Sequence, residues 1–146
     1  MFNIMKETRC IVDPKMPYGL HDSKIDEIKI TNGNLELYFK DKITKIGKDI
    51  SLKVRGNIIV EGIDSDFCCV LINDNEDSNG NFYGKKFEIS EFIDNYKDYT
   101  FEVIDEYYGY HRLEYQGYLW TKNEEPKEMT LCLGYFKGDI IYRTEE

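Results

Sequence analysis

Across residues 24–39, apolar and polar positions alternate with a period of two. Ile28 and Ile30 are separated by charges, Asn32-Gly33 interrupts, and Leu35, Leu37 and Phe39 resume the alternation. That period puts successive side chains on opposite faces of a strand. Asn-Gly between two such runs suits a type I′ turn, which needs positive φ at both central positions. The stretch predicts a hairpin. Residues 5–12 predict an earlier strand, with Pro14 and Pro17 bracketing an extended segment after it. Leu52 and Val54 lead to Gly56-Asn57 and then to residues 58–63, a pattern that predicts a second hairpin. Residues 67–72 are apolar without a break, as expected of a central strand covered on both faces.

The polar stretch 73–81 predicts a loop, and residues 82–89 fit either kind of regular element. Ser90 stands where it would cap a short helix near 90–97, with Phe92, Ile93 and Tyr96 on one face. Residues 100–108, 110–120, 127–136 and 139–143 predict four further strands, separated by Gly109, residues 123–126 and Lys137-Gly138. Turn signals recurring at this spacing predict a mainly β chain. The expectation is a single β-rich domain over 1–146, an antiparallel meander forming a barrel or sandwich with one short helix. Composition points the same way. The chain has no alanine, the best helix former, but 17 isoleucines, 12 tyrosines and 8 phenylalanines, which suit a pleated surface.

Charge changes the picture of function. The net charge is −9, and all of it falls in residues 74–146, which also hold 10 of the 12 tyrosines and the single Trp120. Phosphate neutralisation needs clustered Lys and Arg, so nucleic acid and anionic membranes are not the expected partners. The N-terminal residues lack a signal-peptide apolar core, and no apolar run approaches the length of a membrane span. Cys10, Cys68, Cys69 and Cys132 show no C-x-x-C spacing, and with only two histidines no structural zinc site is expected. Reduced thiols in the cytoplasm are the expectation. The excess of Lys over Arg, with abundant Ile and Asn, suggests AT-rich bacterial coding.

No residue set points firmly to catalysis, so no catalytic, metal or cofactor residues are expected. His21-Asp22 has the form of a carboxylate-oriented imidazole, and a local turn role explains the pair equally well. His111 follows Asp105-Glu106 through Gly109, and a hairpin there would bring imidazole and carboxylate together. Cys68-Cys69 lies in the most apolar run, where thiols are ordinarily inert. Asn75–Gly80 has the front of a calcium loop, but the twelfth position is Lys86 where a bidentate glutamate is required. The distinctive constellation is acidic and aromatic: Asp105, Glu106, Tyr107, Tyr108, Glu114, Tyr118 and Trp120. On strand 110–120, Leu113, Tyr115 and Leu119 point one way, and Tyr118 and Trp120 the other, with Arg112, Glu114 and Gln116. Tyr and Trp are enriched at recognition surfaces.

Residues 19–39, from Gly19-Leu20-His21-Asp22 through the Asn32-Gly33 hairpin, resemble the opening of uncharacterised Firmicutes domains and of small immunity proteins from bacterial polymorphic toxin systems. The resemblance implies a non-enzymatic protein that binds and neutralises a toxin, and it transfers no binding residue. Two readings therefore stand. One is a protein-binding module for a basic partner, using the acidic aromatic residues. The other is a small-ligand-binding barrel or enzyme with a pocket near His21, Asp22 and His111.

Overall fold

The computed structural model describes residues 5–12, 15–73, 83–136 and 138–146. These form twelve strands and one α-helix. The strands are β1 (Met5–Cys10), β2 (Tyr18–Gly19), β3 (Lys24–Thr31), β4 (Asn34–Phe39), β5 (Ile43–Lys45), β6 (Leu52–Val60), β7 (Cys69–Asn73) and β8 (Gly84–Glu88). After the helix α1 (Ile89–Asn95) come β9 (Thr100–Gly109), β10 (Arg112–Trp120), β11 (Lys127–Gly134) and β12 (Ile140–Glu145). The sheet runs β1-β12-β6-β4-β3-β9-β10-β11-β7-β8, with β5 paired to the start of β6 and β2 to β5. Every pairing is antiparallel. The sheet does not close into a barrel; it folds over on itself around one core.

The fold-over has a local cause. Its two halves join through a short seam, where Lys24 and Ile25 of β3 pair with Glu102 and Phe101 of β9. Bulges flank the seam. One lies in β3 between Ile25 and Glu27, and the other leaves Ile104 of β9 unpaired between Val103 and Asp105. A bulge bends its strand and increases the local twist, so the halves swing face to face. At the opposite corner Ile63 bridges to Tyr135, and the Phe136 N–H donates to the Gly62 carbonyl at 3.0 Å. The inner faces then share one core, which includes Ile28, Leu37, Val60, Val103, Leu113 and Tyr142.

The Asn32-Gly33 hairpin forms as the alternation predicts, with φ of 52° and 77°. Three other expectations are corrected. Gly56-Asn57 is not a turn. It lies inside the continuous strand β6, where a Cβ on Gly56 would come 2.5 Å from the Arg143 carbonyl oxygen of β12. Glycine is there for close backbone approach, and its sequence cue is the same as that of a turn. Residues 67–72 are not a strand covered on both faces. Phe67 ends a 3-10 turn and is exposed, and β7 buries only Val70 and Ile72 while Leu71 faces solvent. Ser90 is not the helix cap. Glu88 and Glu91 form a reciprocal capping box, the Glu88 N–H donating to Glu91 Oε1 at 3.0 Å. The helix still buries Ile89 and Phe92, with Phe92 stacked on Tyr96 at 4.7 Å. The loop expected at 73–81, with its calcium-like Asn75–Gly80, lies outside the described residues beyond Asn73.

The side-chain carboxylate of Glu146 ties β12 to the β2–β5 pair. It accepts from Lys45 Nζ, from Thr144 Oγ1 and, at 2.6 Å, from the Tyr18 hydroxyl. These hydrogen bonds, Lys45 first, lower its pKa from 4.5 to about 2. A depressed carboxylate stabilises the fold above its unfolded pKa, and the contribution is lost as pH falls through the folded value. Glu146→Gln is therefore expected to cost about 1 kcal/mol at pH 7, with the difference from wild type vanishing as pH falls from 4.5 towards 2. Denaturant midpoints across pH measure it. The two glycines give a second test. Gly33 has no neighbour within 4 Å, so Gly33→Val should cost only the conformational penalty, about 1–2 kcal/mol. Gly56→Ala should cost about 3 kcal/mol through overpacking, and equal midpoints for the two variants would contradict the assignments.

Candidate functional site

The bulge at Ile104 sorts the acidic and aromatic residues. Before it, Phe101 and Val103 point inward and Glu102 outward; after it, Asp105 and Tyr107 point outward while Glu106 and Tyr108 turn in. On β10 the alternation is regular: Leu113, Tyr115 and Leu119 are buried, and Glu114, Gln116, Tyr118 and Trp120 face out. Asp105, Tyr107, Glu114, Tyr118 and Trp120 thus share one outer face. Glu106 and Tyr108 do not belong to it. The extra residue at Ile104 shifts the phase of β9, and nothing in the local sequence marks that shift.

Glu106 is tolerated on the inner side because its oxygens are occupied. The Leu20 N–H donates to Oε2 at 3.0 Å and the Tyr108 hydroxyl to Oε1 at 2.8 Å. Burial pushes the Tyr108 hydroxyl far above its ordinary pKa, and Tyr115, Tyr142 and Glu106 add to the effect. Tyr108 meets Tyr115 edge to face, with centroids 6.3 Å apart. The Tyr115 and Tyr142 hydroxyls are buried without a hydrogen-bond partner among the described residues.

The outer face is ordered by register. Tyr118 sits between Glu102 on β9 and Glu128 on β11, Gln116 between Asp105 and Thr130, and Glu114 between Tyr107 and Cys132. Tyr107, Tyr118 and Trp120 expose 51%, 41% and 45% of their surface, so these rings are not core residues. A depression of about 210 Å³ lies between Asp105, Gln116, Tyr118, Glu128 and Thr130. Arg112 contacts Glu114 at 3.2 Å and offsets part of its charge. Glu102 and Glu128 escape notice in the sequence because their membership depends on cross-strand register.

The histidines form no common site. The His21 Nδ1–H donates to the Ile104 carbonyl at 2.7 Å, and its Nε2 lies 3.4 Å from Asp22 on an exposed turn. The Ile104 carbonyl, with help from Asp22, raises the His21 pKa; Asp105 and Glu106 contribute less. His111 does not meet Asp105-Glu106, because those residues pair with Gln116 and Tyr115, well inside the ladder. It belongs instead to the turn between β9 and β10. Its Nδ1–H donates to the Tyr135 carbonyl at 3.0 Å and its ring stacks on Tyr135. A cleft of about 460 Å³ opens there, lined by Tyr108, Tyr110, His111, Tyr135, Ile11 and Val12 among others.

Among the described residues, no group of three or more His, Cys, Asp or Glu is placed to hold a metal ion. No described helix is long and apolar enough to cross a membrane. Cys68 is buried, its Sγ–H donating to the Gly134 carbonyl at 3.3 Å, and burial raises its pKa, which does not favour a nucleophile. No family model, curated protein or solved structure matches the chain.

The inner tyrosine cluster makes a separate prediction. Tyr115→Phe removes a buried hydroxyl that has no partner, so stability should hold or rise by about 1 kcal/mol. Tyr108→Phe strips Glu106 of a donor and should cost about 1–3 kcal/mol. Thermal or denaturant unfolding of the two variants checks the ordering.

Proposed function

We propose that the protein is a non-catalytic binding module that takes a basic protein on the outer face of β9, β10 and β11. The observation that carries this reading is the interleaving of exposed rings with carboxylates: Tyr107, Tyr118 and Trp120 lie among Glu102, Asp105, Glu114 and Glu128. Carboxylates steer a cationic partner and raise its association rate, while desolvated aromatic rings slow its departure. The whole net charge of the chain lies in the half that builds this face. The segment 19–39 resembles immunity proteins, which makes a basic toxin the first partner class to test.

A small-ligand site is the second reading, and the cleft beside His111 supports it. Its volume falls within the range of small-molecule sites, and four aromatic rings line it.

A partner captured with the protein and purified decides between them. Asp105→Lys with Glu128→Lys should slow association by about tenfold at low salt, with the difference shrinking as salt rises. Trp120→Ala should speed dissociation by about thirtyfold, the effect of a 2 kcal/mol anchor. Glu106→Gln and His111→Ala should leave the rates unchanged. Binding that ignores both face variants, or that is lost with His111→Ala alone, overturns the proposal.

A further inference from the structure

Two thiols meet on the outer face beside Glu114. Cys69 of β7 and Cys132 of β11 are direct partners across the antiparallel ladder. The adjacent partners Val70 and Leu131 point into the core, so alternation sends both thiols to the outer side together. Direct antiparallel partners have Cα atoms about 4.5 or 5.5 Å apart, and both spacings fall within the disulfide window of about 4.4–6.8 Å.

The other two cysteines are differently engaged. Cys68 is next to Cys69 in sequence but points to the opposite face, where it exchanges hydrogen bonds with the Gly134 backbone. Cys10 lies on β1 opposite Ile140. We infer that Cys69 and Cys132 are a reversible dithiol–disulfide pair that pins β7 to β11.

The order of events follows from access. Cys69 is half-buried, whereas Cys132 is buried and its Sγ–H is directed at Glu114 Oε1, 3.8 Å away. Burial, with Cys69 and Glu114 adding to it, pushes the Cys132 thiol up to about 12. Cys69 therefore reacts first. Its thiolate attacks one sulfur of a low-molecular-weight disulfide, that S–S bond breaks, and one thiolate leaves and takes up a proton. Cys132 then loses its proton to solvent and attacks the Cys69 sulfur of the mixed disulfide, expelling the second small thiol. Two protein thiols are oxidised to one disulfide, and the small disulfide is reduced to two thiols. Excess thiol reverses both steps.

The test treats the native full chain with oxidised glutathione, then denatures, alkylates and maps it by mass spectrometry. The expected product is a monomer that has lost two free thiols and yields a Cys69–Cys132 linked peptide. Cys132→Ser should stop at a glutathione adduct on Cys69, and Cys68→Ser should form the bridge like wild type. A lasting adduct on wild-type Cys69, a bridge through Cys68 or Cys10, or no thiol loss overturns the inference. If Cys132→Ser fails to fold, the wild-type peptide map still decides.

Discussion

One unpaired residue, Ile104 in the β9–β10 ladder, decides which side chains this protein shows to solvent. Strand alternation has a period of two, so a single extra residue exchanges the faces of everything after it. Without the bulge, the alternation that puts Phe101 and Val103 in the core would also put Asp105 and Tyr107 there, and expose Glu106 and Tyr108. With it, Asp105 and Tyr107 join Glu114, Tyr118 and Trp120 outside, and Glu106 closes onto the Leu20 N–H and the Tyr108 hydroxyl. The same bulge lies beside the seam between the two halves, so fold-over and surface display have a common origin.

The energetics of the two sides differ. Inside, a half-buried carboxylate survives because each oxygen has a donor, and removing either donor leaves a costly unsatisfied group. Outside, Asp105 and Glu128 are exposed and Glu102 is half-buried, so polar contacts on this face, such as that from Asn73 to Glu128, contribute little to stability. Satisfied polar groups thus lie inside, and charge and rings are displayed outside. The histidines, by contrast, spend their Nδ1–H groups on backbone carbonyls and stand at separate turns.

Much of the fold is legible along the chain where local chemistry and pattern agree. Asn32-Gly33 between alternating runs specifies its turn by itself, and the alternation of β10 correctly separates Leu113, Tyr115 and Leu119 from Tyr118 and Trp120. What fails depends on distant backbone. Gly56 looks like a turn glycine, yet it is required because β12 crosses close to it; the run from Phe67 looks central, yet its first residue belongs to a 3-10 turn. Glu106 and Tyr108 are misplaced by the bulge, and Glu102, Glu128 and the Cys69–Cys132 pair become neighbours only through strand order. Cross-strand register is a tertiary property, and a single chain read by pattern does not contain it.

Because Trp120 is the single tryptophan, its fluorescence reports on the outer face alone. Acrylamide quenching of Trp120, measured in the free protein and again with the purified basic partner bound, tests the account most directly. The account predicts ready quenching in the free chain and strong protection in the complex. A partner that binds while Trp120 stays equally quenchable would contradict it.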